Sequence, residues 1–183
     1  MPYGVIAIMT VYHPTQIHVQ NARLIMEQVD WLFVFDNSSV DSAAFFADLE
    51  KCSYICHNKN IGLSRAFNYV LKTFSNSISE ESVVLFFDQD TVIPEKHIAK
   101  LYGVFKSLRK MEEPVGAIGP IYVDASDGKA RCPRHGKWIT KESMRVRTLI
   151  TSSMLCQYGT LKEIGFWNEK IFLDMADWDL CWR

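Results

Sequence analysis

The stretch VVLFFDQDTVI, residues Val83–Ile93, drives five apolar residues into two aspartates, Asp88 and Asp90, parted only by Gln89. A short unbroken apolar run reads as a strand buried on both faces, the habit of a parallel sheet. Two like charges at its end repel, so water, a cation or a shared proton has to compensate them. Side chains two apart on a strand share a face, so both carboxylates can aim at one hard cation and leave positions for water and phosphate oxygens. Mg²⁺ or Mn²⁺ there would also neutralise a diphosphate and stabilise it as a leaving group. The plainer alternative is a solvated pair ahead of the helix that Pro94 would open.

On either side of this strand the pattern alternates between short aliphatic runs and helical spacing. Strands are expected at Gly4–Tyr12, Trp31–Phe35, Tyr54–His57, Val83–Phe87 and Val115–Tyr122, and order resumes over Thr148–Leu155. Helices are expected after Pro14 and Thr15 (apolar face Ile17, Ala22, Ile25, Val29), over Ala43–Leu49 and Leu63–Phe74, from Pro94 to about Lys110, around Leu161–Ile164 and from near Ala176. Asp124–Lys141 reads as a polar loop. Strands alternating with helices imply an α/β fold, a mostly parallel sheet covered on both faces. One domain over residues 1–183 is expected, without repeats. The closing ADWDLCWR reads as a helix whose Leu180 and Trp182 still need cover, which suggests a chain truncated at its C-terminus.

A net charge of −1 and the absence of like-charge runs argue against nucleic acid as the ligand. Cys52, Cys56, Cys132, Cys156 and Cys181 are odd in number and show no CxxC spacing, which favours reduced thiols and a cytoplasmic setting over zinc or disulfides. The N-terminus lacks the form of a signal peptide, and no segment approaches the roughly 20 apolar residues of a membrane span. A GxSxG elbow and a Walker loop are also missing.

In an open parallel sheet, ligands bind beyond the carboxyl ends of the strands. Four polar clusters fall there: Thr10–His13, Asp36-Asn37-Ser38, His57–Gly62 and Asp88-Gln89-Asp90. Turn and cap chemistry accounts for each alone; four on one rim point to a ligand. A second acidic group, Asp174, Asp177 and Asp179, lies in FLDMADWD. Asp177 would sit in the first turn of the last helix, where an ionised carboxylate is favoured and could take a proton from a substrate hydroxyl.

Taken in order, MTVYHP, VFDNSS, NKNIGLSRAFN, FFDQDT, TSSML and FLDMADWDLCWR resemble the family 2 glycosyltransferases of GT-A fold, especially bacterial rhamnosyltransferase-like members, over essentially the whole chain. The resemblance implies that Thr10, Tyr12, Asp36 and Asn37 hold the base and ribose, and that Asn60, Gly62, Arg65 and Asn68 surround the nucleotide sugar. It implies a divalent cation, Mg²⁺ or Mn²⁺, on Asp90, with Asp88 facing the ribose or a metal-bound water, and Asp177 as catalytic base. Three positions depart from the pattern: Ala176 stands where relatives carry Glu, Phe67 where they carry Arg, with Arg65 as a substitute, and Ser153 where they carry Gly.

The reaction implied is inverting transfer from a dTDP- or UDP-sugar, with rhamnose the favoured sugar, to a glycan or lipid-linked acceptor of the cell envelope. Such an acceptor would be met at the inner face of the membrane, so peripheral association belongs to the same reading. Arg131, Arg134 and His135 are the loop residues that could touch acceptor or diphosphate. Two rivals stand beside it: a Mg²⁺-dependent phosphatase of DxD type, with Asp88 as nucleophile, and a nucleotide-binding module without turnover. The phosphatase pattern wants its acidic pair on the first strand, and about three strand–helix units precede it here.

Overall fold

The computed structural model describes residues 3–133 and 135–183; Arg134, one of the loop residues singled out above, lies outside them. The elements in chain order are β1 (Tyr3–Val11), α1 (Gln16–Met26), β2 (Trp31–Asp36), α2 (Ala43–Phe46), β3 (Cys52–Cys56), α3 (Leu63–Thr73), β4 (Ile78–Asp88) and α4 (His97–Lys110). They continue with β5 (Ala117–Ile118), β6 (Tyr122–Val123), β7 (Ala130–Arg131), β8 (Lys137–Trp138), β9 (Met144–Arg145), β10 (Met154–Gln157), α5 (Tyr158–Glu163) and α6 (Ala176–Trp182).

Six strands form the central sheet in the order β3-β2-β1-β4-β10-β5. The first four are parallel, and β10 runs against both neighbours, so the sheet is mixed but mostly parallel, as expected. Alternation along each strand divides the core. Ile6, Ile8, Phe33, Phe35, Val84 and Phe86 face α3, α5 and α6, while Ala7, Met9, Leu32, Val34, Leu85 and Phe87 face α1, α2 and α4. Phe67, Phe86 and Trp167 form an aromatic centre, with the Trp167 ring 4.9 Å from each partner.

The boundaries differ from the expected ones for local reasons. Pro120 cannot donate to a ladder, so the expected Val115–Tyr122 strand breaks: β5 pairs with β10, and β6 peels away to pair with β7. The Asp124–Lys141 stretch carries β7 and β8, one strand from each of two short ribbons whose partners β6 and β9 flank it, instead of plain loop. The Pro94 helix starts later, at His97, after Lys96 in left-handed conformation. Strand β3 begins at Cys52, in register with Leu32. Ile17 is 60% exposed rather than part of the α1 face, which is built by Val19, Ala22, Ile25 and Met26.

Candidate active site

The chain runs outward from β1 through β2 to β3, then returns to place β4 on the other side of β1. A crevice opens where the order reverses, at the carboxyl ends of β1 and β4. Register brings the expected residues to this rim: Thr10 pairs with Asp88, and Val11 with Asp36. Gln89, between the two aspartates, is a strut. Its Oε1 accepts the Tyr12 N–H at 2.7 Å, and its carbonyl accepts Nδ2 of the buried Asn21 at 2.9 Å. A polar residue buried on the core face of α1 was the one sequence signal for this contact.

Asp88 is half-buried and Asp90 exposed. Burial pushes the Asp88 carboxyl above its usual range; a 2.9 Å hydrogen bond from Ser152 Oγ opposes that shift, while the charges of Asp90 and Asp177 reinforce it. An all-oxygen pair under uncompensated negative potential fits a hard divalent cation. Among the described residues no group of three or more His, Cys, Asp or Glu side chains converges as a metal centre. Two carboxylates, with other positions left to phosphate and water, are what this rim offers.

Asp177 stands in the first turn of α6, half-buried, with Oδ1 accepting its neighbour Trp178 N–H at 2.8 Å. Asp174 is exposed, and Asp179 turns inward to anchor the helix. Asp179 accepts from Asn168 Nδ2 at 3.2 Å and from Arg183 Nε at 2.9 Å. The other guanidinium nitrogens of Arg183 donate to the Ile164 and Phe166 carbonyls at 2.8 and 2.7 Å.

Several residues expected to touch nucleotide stand behind the rim. Asp36 is fully buried, with Oδ1 accepting from Ser38 N and Oγ and Oδ2 accepting from Tyr54 OH at 2.7 Å. Asn68 is 2% exposed; its amide donates to the Trp167 carbonyl and Glu169 and accepts the Trp167 N–H at 3.0 Å. Gly62, at φ 84°, lets the Phe172 carbonyl approach so closely that a Cβ would lie 2.6 Å from it. Asn68 and Gly62 therefore seat the segment that carries Asp177. Nothing local in the sequence linked the two motifs.

Thr10 and Asn37 are nearly buried, and Asn37 Oδ1 accepts the Ile61 N–H at 3.1 Å. Asn60 is exposed and caps its own turn through Gly62 N at 2.9 Å. Tyr12, half exposed, reaches solvent, as does Arg65 on α3. Arg131 is paired with Asp124 and Asp127 inside its own loop, and His135 is exposed. A cavity of about 950 Å³ opens beside α4, β5 and α6, lined by Leu101, Val104, Ile118, Leu149 and Trp178 among others.

Among known proteins, the sequence matches the family described as Glycosyl transferase family 2 over residues 20–160. The dTDP-rhamnosyl transferase RfbF of Shigella flexneri is 28% identical over 199 residues, covering 100% of this chain and 64% of that protein. The chain thus spans less than two thirds of that relative's length. Mannosyltransferase PcManGT from Pyrobaculum calidifontis, solved in complex with GDP-Man and Mn²⁺, superposes with a TM-score of 0.63 at 14% identity, covering 97% of this chain and 50% of that one. TarS of S. aureus superposes at 0.66 and 15% identity, covering 99% and 54%. At such identities the likeness concerns the fold, which is GT-A, as the sequence had suggested. The family match sets the phosphatase alternative aside: this chain belongs to glycosyl transferase family 2.

Proposed function

We propose that this chain is the catalytic part of an inverting glycosyltransferase moving a sugar from a dTDP- or UDP-sugar to the hydroxyl of a glycan or lipid-linked acceptor. The observation that carries this reading is the family match together with the placement of its acidic motifs: Asp88 ends β4, held by Ser152 Oγ, and Asp177 opens α6 near enough for its charge to act on Asp88, although the two motifs are far apart in sequence. The likeness to RfbF favours rhamnose.

Asp88 and Asp90 would hold a divalent cation, and Tyr12, Asn60 and Arg65 are the accessible side chains on which the nucleotide sugar would rest. Mg²⁺ or Mn²⁺, when bound, would neutralise the diphosphate and make it a better leaving group. Asp177 Oδ2 takes the proton of the acceptor hydroxyl while that oxygen bonds to the anomeric carbon from the face opposite the leaving group. The bond from that carbon to the phosphate oxygen breaks, and the nucleoside diphosphate departs with the electron pair. Trp178 N–H keeps Oδ1 engaged and fixes which carboxylate oxygen acts. Acceptor access through the cavity beside Trp178 agrees with this geometry.

The test joins binding and turnover. Thermal stabilisation by dTDP or UDP with Mn²⁺ is expected in the wild type and lost in D90N. D177N retains that stabilisation and loses transfer at least about 10²-fold, the low end for a general base. Full turnover in D177N sinks the base assignment. Stabilisation without transfer by any nucleotide sugar in the wild type leaves a binding module.

A further inference from the structure

Ser153 is 2% exposed and stands at φ 67°, a left-handed conformation that strains serine and suits glycine. Its N–H donates to the Phe86 carbonyl at 2.8 Å, and the turn is closed by Met154 N–H on the Thr151 carbonyl at 2.9 Å. Both bonds would survive with glycine at this position. What the serine adds is Oγ, 2.6 Å from Nε2 of His97, the first residue of α4. The residue before it, Ser152, donates to Asp88 Oδ2 at 2.9 Å. One peptide unit therefore separates a strained, buried serine tied to a histidine from the hydroxyl supporting the acidic pair.

A serine without a side-chain partner prefers negative φ. Swinging there would rotate the 152–153 peptide and carry Ser152 Oγ off Asp88. We infer that His97 is a positioning residue for the acidic pair: through Ser153 it holds the turn left-handed and so holds Ser152 on Asp88. His97 acts from the neighbouring helix and touches neither carboxylate. The inference rests on the reading of Asp88 and Asp90 as the cation- and diphosphate-binding pair.

Its test is calorimetric Mn²⁺ binding with dTDP and with UDP present, alongside melting temperatures, for the wild type, H97A, H97Q, S153G and H97A/S153G. H97A is expected to weaken Mn²⁺ affinity about tenfold, the equivalent of one lost hydrogen bond. H97Q, whose amide can meet Ser153 Oγ, recovers most of that loss. S153G keeps wild-type affinity because glycine holds the turn unaided, and adding H97A to it changes nothing further, a non-additivity that a purely structural histidine would not produce. Equal losses from H97A in both backgrounds overturn the inference, as does a lowered melting temperature with unchanged Mn²⁺ affinity. If H97A alone does not fold, the double variant decides: folding and Mn²⁺ affinity restored in H97A/S153G to the level of S153G support the inference, and a double variant that still fails to fold, or binds Mn²⁺ more weakly than S153G, overturns it. A wild type that binds no Mn²⁺ with either nucleotide removes the reading of the acidic pair, and this inference falls with it.

Discussion

Gly62 carries two constraints at one residue. Its φ of 84° is open to glycine and strained for other residues, and the Phe172 carbonyl occupies the place of a Cβ. Leu63 N–H also donates to that carbonyl at 2.7 Å, so the loop before α6 is tied to the start of α3. G62A should therefore destabilise the fold by about 2 kcal/mol through backbone strain and contact. Turnover should fall further than folding alone explains, because the displaced segment leads to Asp177. Urea denaturation with parallel kinetics measures both; wild-type stability in G62A would contradict the close approach.

At the scale of elements, α6 has only seven residues and needs tertiary support to hold Asp177 in place. Arg183 supplies much of it, reaching back to two carbonyls beyond α5 while pairing with Asp179. R183A removes three charge-assisted bonds, the ion pair with Asp179 among them, and leaves the Ile164 and Phe166 carbonyls without this partner. The expected cost is about 2 kcal/mol, since hydrogen bonds to charged groups contribute about 1.5–3. R183K should recover little of it, because an ammonium lacks the fork that serves three acceptors at once. Thermal melts of the two variants separate these outcomes. An R183A that melts like the wild type would show that α6 is held by Ala176 and Leu180 alone.

For the whole molecule, function and stability oppose each other at the rim. Asp88 has a raised pKa because burial disfavours its charged form, with Asp90 and Asp177 adding to the effect. The folded state then holds a proton more tightly than the unfolded chain. Stability declines as pH climbs from the ordinary carboxylate value of 3.8 through the raised one, and the penalty is complete above it. Without metal, D88N should melt higher than the wild type at neutral pH and equal to it below the unfolded pKa. With Mn²⁺ and nucleotide the order should reverse. Melts across pH in EDTA check this; a gap independent of pH would discredit it.

The alternation of aliphatic runs with helical spacing was enough to read an α/β fold with a parallel sheet, because strands buried on both faces leave that pattern in the chain itself. The strand-end rule likewise assigns Thr10, Asp36 and Asp88 to one rim from the sequence alone. Where β5 stops was less legible, since Pro120 ends a ladder only if its partner strand is known. Which polar residues line the crevice and which brace it could not be read at all. Asp36 and Asn68 are expected as ligand contacts from the sequence, and the fold places both buried, bonded to Tyr54 18 residues on and to Trp167 99 residues on. Local chemistry is written along the chain. Long-range contacts such as Gly62 against Phe172, or His97 against Ser153, exist only once packing brings distant segments together, and those contacts set where the reacting groups stand.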